Sequence, residues 1–285
     1  MLSPSLISQI AQTSWIPLCY TNTVPRLQVK GIDLEYRSIG VFRTSDGEFR
    51  SIDGRCPHRH GTLCGERIDR DGMVKCGYHG AKFNTTTGKC TEFLKMPSSL
   101  RLNEYETNVD QDNVLWCKLT DDSVPFPELP YQVHADERAV RGTTDVAVSA
   151  FDLVENLMDA SHVHEVHQFG NKDDPRPKDM KKIVTSPMSS GYTYNYNTNS
   201  RLAKRTSEVV HVVNGFYGPF SIYSNVAFSS STKSVRVSVL PLTPTSSRMF
   251  WTLGRDFMLH DLGDVVARQI MHQTVAEDAA VLTKM

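Results

Sequence analysis

No apolar run in this chain of 285 residues approaches the length needed to span a bilayer, which takes about 20 consecutive apolar residues as a helix. The opening stretch, MLSPSLISQIAQTSWIP, has no basic residue ahead of its apolar positions, so it does not read as a secretory signal. A cytoplasmic enzyme is the expectation, with an organellar protein relieved of its transit peptide as the alternative. Net charge is missing too: 31 Lys and Arg against 32 Asp and Glu leave a formal −1. Such a chain offers no general field to nucleic acid or an anionic membrane, and its partners must be recognised locally. There is no G-x-G-x-x-G, which excludes hydride transfer from a nicotinamide cofactor on a Rossmann domain of this chain. Six Cys are too few for a disulfide scaffold of this size, and their spacing beside His points to metal. What is present is 39% hydrophobic residues, enough to bury the cores of one large or two ordinary domains.

Two segments carry the chemistry. Cys56-Pro57-His58 is followed, with 17 residues between, by Cys76-Gly77-Tyr78-His79, a C-x-H-x17-C-x2-H pattern. Two thiolates and two imidazoles could hold a structural zinc tetrahedrally. Zinc fingers, however, pair like residues, whereas each segment here supplies one Cys and one His. That mixture suits a [2Fe-2S] cluster with both thiolates on one iron and both imidazoles on the other, at a potential of about −150 to +300 mV. Gly54, Gly61, Gly65, Gly77 and Gly80 crowd the two loops, as expected where backbone bends closely around a cluster whose sulfurs need N–H donors. Cys19, Cys64, Cys90 and Cys117 lie outside the pattern and read as packing residues.

The second segment, FDLVENLMDASHVHEVH from Phe151 to His167, places Glu155, Asp159 and His162 on one face of a regular helix. His167 lies about 140° away from His162 around such a helix, so a shared metal requires the helix to end, bulge or tighten, and a distorted turn is predicted around Val163 to Val166. Two imidazoles and one carboxylate make a facial triad with open positions, the mark of non-heme iron(II) oxygenases. The carboxylate comes from Asp261, Asp264, Glu277 or Asp278, and spacing does not choose among them. An ordinary amphipathic helix with filler His residues is the plain alternative. His164 points away from His162 and is not expected to be a ligand; Glu155 and Asn156 are candidates to support the ligands.

At these residues the chain resembles the Rieske family and, with the downstream segment, the Rieske non-heme iron oxygenases, oxygenase component. The resemblance implies that Cys56 and Cys76 hold one cluster iron and His58 and His79 the other. Trp15-Ile-Pro17 is similar to the family's opening W-x-P, Arg55 to Arg59 to its first cluster loop, and Glu155 to Asp159 to its iron helix. Glu277-Asp278-Ala-Ala-Val281 is similar to the family's late E-D-x-x-V, which implies Asp278 as the third ligand beside His162 and His167. Gly77 stands where respiratory Rieske proteins have a second clamping Cys, so that disulfide is not expected. Ala81 replaces a frequent Trp. Many relatives continue beyond the position of Met285, so a shortened terminal helix is expected.

The resemblance further implies a homotrimer in which the cluster of one subunit faces the iron of the next. Asp159 would bridge them, accepting from His79 across the interface and from His162 within the subunit at about 2.7–2.9 Å. It implies a monooxygenase that puts one atom of O2 into a C–H bond of a small organic substrate and releases the other as water, hydroxylating or demethylating it. Electrons would come from a separate reductase or ferredoxin using NAD(P)H, docked with help from Arg59 and Lys82. Ring dihydroxylation, or an electron carrier without oxygen chemistry, are the alternative readings.

The expected fold is α+β: residues 1–125 a β-rich Rieske domain with an N-terminal helix over residues 5 to 14, and residues 126–285 a helix-grip catalytic domain with an antiparallel sheet. A hairpin is predicted around Ser45-Asp46-Gly47, and the Rieske domain closes with Val114 to Cys117. Pro125, Pro127 and Pro130 read as a stiff linker before a second domain that begins near Val133. Strands are predicted at Tyr192–Tyr196, Glu208–Val213, Ile222–Phe228, Val235–Leu240 and Met249–Leu253, then a helix from Asp264. Tyr192, Tyr194, Phe216 and Phe220 are candidates to line a pocket.

Overall fold

The computed structural model describes residues 9–93, 99–120, 122–130, 136–186, 189–197 and 209–284. The chain divides into two compact units, Ser8–Phe126 and Pro127 onward.

In the first unit a six-stranded antiparallel sheet, ordered β1-β9-β8-β4-β3-β2, is built from β1 (Trp15–Tyr20), β2 (Lys30–Leu34), β3 (Arg37–Arg43), β4 (Phe49–Asp53), β8 (Glu104–Val109) and β9 (Val114–Lys118). A smaller sheet joins β5 (Met73–Lys75), β6 (Lys82–Asn84) and β7 (Cys90–Glu92). The predicted hairpin links β3 to β4: Thr44 N–H donates to Glu48 O at 2.9 Å, and Gly47 takes φ +100°, a backbone state that glycine enters without steric cost. The two sheets enclose a core of Val29, Phe42, Ile52, Leu63, Val74 and Phe83, with Ala81 fully buried among them. Helix is present over residues 9–12; residues 5–8 of the predicted helix lie outside the described residues. Trp15-Ile-Pro17 does not merely end that helix, because it forms β1 itself, buried against β9.

The second unit is one seven-stranded antiparallel sheet, ordered β10-β16-β15-β14-β13-β12-β11. Its strands are β10 (Arg138–Val146), β11 (Lys178–Ser186), β12 (Ser189–Asn197), β13 (Val209–Tyr217), β14 (Ser221–Ala227), β15 (Thr232–Thr243) and β16 (Ser246–Arg255). Between β10 and β11 run two short helices, α1 (Ala150–Met158) and α2 (His162–Val166), and the chain ends in α3 (Asp261–Leu282). All the predicted strands of this unit exist, and all are longer than expected except that of Ile222–Phe228, which keeps its length one residue earlier; Glu208 lies outside the described residues, as does Val133. β10 and β11 were not legible, since neither shows clean two-residue alternation: β11 reads KDMKKIVTS.

Cross-strand partners lie on one face of a sheet, so the row Tyr194, Val212, Val226, Lys233, Arg255, Arg138 can be followed across six strands. Tyr194, Val212 and Val226 pack with Ala160, in the segment between α1 and α2. The first turn of α3 is pinned at the other end of the row: Arg138 reaches Asp264 at 2.8 Å, and Arg255 reaches Asp264 at 2.6 Å. One sheet face thus carries both the α1–α2 segment and α3.

Candidate metal centres

The two Cys-His segments form matched loops. Cys56 N–H donates to Gly61 O at 2.8 Å and His60 N–H returns to Cys56 O at 2.9 Å; Cys76 N–H donates to Ala81 O at 2.8 Å and Gly80 N–H returns to Cys76 O at 2.9 Å. Each turn therefore presents its Cys inward and its His at the tip. Both Cys are buried, while His58 and His79 are only partly so, their ring centres 4.9 Å apart. The two thiols lie side by side, and backbone N–H groups of His58 and Arg59 face the Cys56 sulfur; burial, the dominant effect, holds that thiol's pKa above its ordinary value. Burial also lowers the His58 pKa, helped by His79 and Arg59. Two adjacent thiols inside and two imidazoles at the rim suit a small cluster better than a closed tetrahedral site. Cys64 packs near Ser38 and Gly54 instead, and all six Cys are free thiols. Of the proposed docking residues, Arg59 is exposed, whereas Lys82 is engaged by Asp69 at 3.2 Å.

In the second unit α1 starts on Ser149, whose hydroxyl accepts from Asp152 N–H at 3.1 Å, an N-cap. The helix does not continue to His162. Asn214 on β13 donates to Leu157 O at 3.2 Å, and the Tyr192 hydroxyl on β12 donates to Met158 O, so sheet side chains satisfy carbonyls that a longer helix would have used. Asp159 turns extended, and α2 starts afresh. This corrects the expectation of one helical face through Glu155, Asp159 and His162: Glu155 is exposed, and the break precedes His162. The predicted distortion between Val163 and Val166 is instead an ordinary short turn of helix that ends at His167.

Asp159 also differs from expectation. Its two oxygens accept from Ser161 N–H at 2.8 Å and His162 N–H at 3.2 Å, and the His162 Nδ1 stands 3.9 Å away. The carboxylate is taken up by the exposed N–H groups that start α2, so the close contact with the His162 ring is not made. His164 is buried and its Nδ1 accepts from Asn171 N–H at 3.2 Å, away from the other imidazoles, as expected.

The end of α2 swings His167 back toward His162, with ring centres 5.2 Å apart. Gly170 permits the return, because a Cβ there would stand 2.4 Å from Val163 O and 2.6 Å from His164 Cα. Asp278 lies about four helical turns along α3 from the Arg-bound Asp264. Its Oδ1 lies 3.5 Å from His162 Nε2 and 3.4 Å from His167 Nε2. Ligands about 2.1 Å from one ion stand roughly 3.0–3.4 Å apart, depending on angle. Asp278 is almost fully buried, and its Oδ1 meets no hydrogen-bond donor. A buried carboxylate oxygen in that state is costly unless a cation faces it. Burial raises the Asp278 pKa and lowers that of His162, as for a donor set that lacks a positive charge.

The other late acids are accounted for. Asp261 and Asp264 pair with Arg138 at 2.5 and 2.8 Å. Glu277 turns to the far side of the His167 ring, where its Oε2 lies 2.9 Å from Nδ1. Nδ1–H donating to that carboxylate leaves the Nε2 lone pair facing Asp278. Phe169 stacks on His167 at 4.9 Å between centres and 18° between planes. No spacing announces either neighbour, since both depend on where the chain turns after α2. The tyrosines are chiefly core: Tyr194 is buried, and Tyr192 is occupied at the end of α1. Phe220 is buried against Phe151.

Residues 14–106 match the Rieske [2Fe-2S] domain, and residues 147–285 match the vanillate O-demethylase oxygenase C-terminal domain. The chain belongs to the Rieske oxygenase family. This Rieske oxygenase chain is similar to protein TIC 55 of Arabidopsis thaliana, 32% identical over 167 residues, which cover 54% of this chain and 30% of that protein. It is also similar to the oxygenase component of dicamba O-demethylase from Stenotrophomonas maltophilia, 28% identical over 154 residues, 51% of this chain and 44% of that protein. The matched stretch is thus less than half the length of either relative. Among solved structures its fold is similar to a caffeine-bound NdmA variant of Pseudomonas putida CBB5, with a TM-score of 0.81 at 17% identity over 98% of this chain and 83% of that one. Family membership implies a [2Fe-2S] cluster and a mononuclear iron, and the two donor sets just described fit them. Among the described residues no helix is long and apolar enough to cross a membrane.

Proposed function

We propose that this chain is the oxygenase component of a monooxygenase system that hydroxylates or oxidatively demethylates a small organic substrate. The observation that carries the reading is the buried, donorless Asp278 Oδ1 between the Nε2 atoms of His162 and His167, in the same chain as the paired Cys-His loops. Cys56, His58, Cys76 and His79 would hold the cluster, and His162, His167 and Asp278 the single iron. When bound, these groups supply a one-electron store and a site for activating O2.

The chain's own residues prepare that chemistry. Glu277 fixes His167 in the tautomer whose Nε2 is a free donor, and its negative charge makes that donor more basic. Burial of Asp278 and the partial burial of His162 keep water from competing for the ligand atoms. Asp159, half exposed beside His162, would accept a hydrogen bond from a ring N–H of a neighbouring subunit, and in the homotrimer we infer that N–H would belong to His79. Electrons would come from a separate NAD(P)H-dependent reductase or ferredoxin, for which the dicamba O-demethylase likeness gives support. The four Cys outside the cluster set, Cys19, Cys64, Cys90 and Cys117, form no disulfide, which suits a reducing compartment such as the cytoplasm.

Iron analysis and oxygen uptake test the reading. Three irons per chain, and substrate-dependent oxygen consumption with a surrogate reductase, are expected. Two irons per chain with no oxygen uptake would leave an electron carrier in place of an oxygenase.

A further inference from the structure

The two Cys-His loops are matched turns that differ at the residue after each Cys. In the first that residue is Pro57, which has no N–H, and the N–H groups facing the Cys56 sulfur are those of His58 and Arg59. In the second it is Gly77, whose N–H needs an acceptor. The acceptor is a carboxylate: Glu66 Oε1 lies 3.1 Å from the Gly77 nitrogen. Glycine makes this approach possible, since a Cβ at Gly77 would stand 2.6 Å from that oxygen. Glu66 is anchored through its own backbone, its N–H donating to Leu63 O at 3.1 Å and its carbonyl accepting from Val29 N–H at 3.0 Å. Leu63 and Val29 belong to the buried core of the unit, so the half-buried Glu66 side chain starts from a fixed point beside the second loop.

A neutral acceptor would have served Gly77 equally well. The carboxylate brings a charge, and that charge is not balanced nearby. Asp69, the next acid along the chain, is matched by Lys82 at 3.2 Å, whereas Glu66 pairs with no cation among the described residues. Lys75 passes the other end of the turn, its Cε 3.5 Å from where a Gly80 Cβ would stand. An electron added to an iron–sulfur cluster makes it more negative, and a fixed anion one residue from a ligand opposes that change. Cluster potentials respond to local charge and to the N–H groups offered to the sulfurs, and an N–H given to a carboxylate is not given to a sulfur.

We propose that the Glu66 carboxylate, seated on the Gly77 N–H, lowers the reduction potential of the cluster held by Cys56, His58, Cys76 and His79. This rests on that ligand assignment and goes beyond it. Glu66 is a positioning residue that touches no iron and acts through the second loop. Its charge makes the cluster release its electron more readily toward the His162, His167 and Asp278 centre, and it requires an electron donor of correspondingly low potential. Taken between the limits for water and for the protein interior, one unit charge at this remove shifts the one-electron equilibrium roughly tenfold, which is about 59 mV.

The test is an anaerobic redox titration of the purified full chain with mediator dyes, followed by the visible absorbance of the cluster at neutral pH and constant salt. Glu66→Gln keeps an oxygen for the Gly77 N–H and removes only the charge, so its potential is expected to rise by that tenfold equivalent. Glu66→Asp keeps the charge while drawing it back by one methylene, and its potential is expected to stay within a third of that shift from the wild type. Cluster absorbance per chain should be the same in all three proteins. An unchanged or lower potential in Glu66→Gln would overturn the inference, as would a rise in Glu66→Asp equal to that in Glu66→Gln, which would assign the effect to the hydrogen bond. Loss of the cluster from Glu66→Gln would mark the carboxylate as a structural acceptor and overturn it too. A wild-type chain without cluster absorbance would sink the ligand assignment itself, a failure told apart from an unshifted potential in fully loaded protein.

Discussion

Glu277 offers a sharp experiment because it stands one residue from Asp278, and the two acids act on opposite edges of one imidazole. The Oε2 atom accepts from His167 Nδ1 at 2.9 Å, and Oε1 accepts from Gln273 Nε2 at 3.0 Å. Both oxygens are therefore engaged by donors. A carboxamide has a single acceptor oxygen, so Glu277→Gln can serve one donor and must turn an N–H toward the other. A hydrogen bond to a charged acceptor contributes about 1.5–3 kcal/mol against about 1 kcal/mol for a neutral pair, so the exchange should sacrifice roughly 1–2 kcal/mol, or about 5- to 30-fold in iron affinity. Glu277→Ala leaves the buried Nδ1–H with no acceptor and should reach the upper part of the 10- to 100-fold range typical of residues that orient a ligand. The assay is an anaerobic ferrous titration against a chromogenic chelator, with the visible absorbance of the cluster as internal control, because that cluster is held by residues of the other unit. Asp278→Asn, in contrast, should abolish the third iron. Wild-type iron affinity in Glu277→Ala would refute the reasoning, and would mean that the Phe169 stack alone orients His167.

Three further outcomes follow from the same geometry. Asp159→Asn keeps an oxygen for the Ser161 and His162 N–H groups, so both metals should be retained while turnover is lost; turnover near that of the wild type would remove Asp159 from the electron path. Gly170→Ala puts a methyl group against backbone that cannot swing aside, so the mononuclear iron should be lost with the cluster intact, and normal iron content would show that the loop has room to yield. Asp264, whose pKa is depressed chiefly by hydrogen bonds from Arg138 and Arg255, contributes stability that is fully present above the unfolded carboxylate value of about 3.9 and is lost as pH falls toward the native value. Asp264→Asn should therefore melt lower than wild type at neutral pH and converge with it below about pH 4; parallel melting curves at all pH values would contradict the linkage.

The candidate cluster site was readable from Cys56, His58, Cys76 and His79 because a cofactor with four fixed attachment points demands particular residue types at particular separations, and that demand is written locally. The same holds for His162 and His167. The helix carrying them was misread in one respect: no break was expected ahead of His162, yet α1 ends at Met158, and the short α2 that starts afresh at His162 ends before His167. The cause lies outside the segment, in Asn214 and Tyr192, which reach over from two strands to end α1. Likewise β10 and β11 escaped notice because their burial depends on what covers the sheet, which their own residues do not encode.

By itself, the order of residues determined the metal-binding vocabulary of this chain: which side chains can serve, and that there are two separate groups of them. Only tertiary structure decided which of four late acids meets the imidazoles, since Asp261, Asp264, Glu277 and Asp278 are alike in chemistry and differ in how α3 is rotated against the sheet. The Arg138 and Arg255 contacts to Asp264 set that rotation, and it puts Asp278 inward and Glu277 behind His167. Ligand type is a property of a residue, whereas convergence is a property of packing between segments about a hundred residues apart.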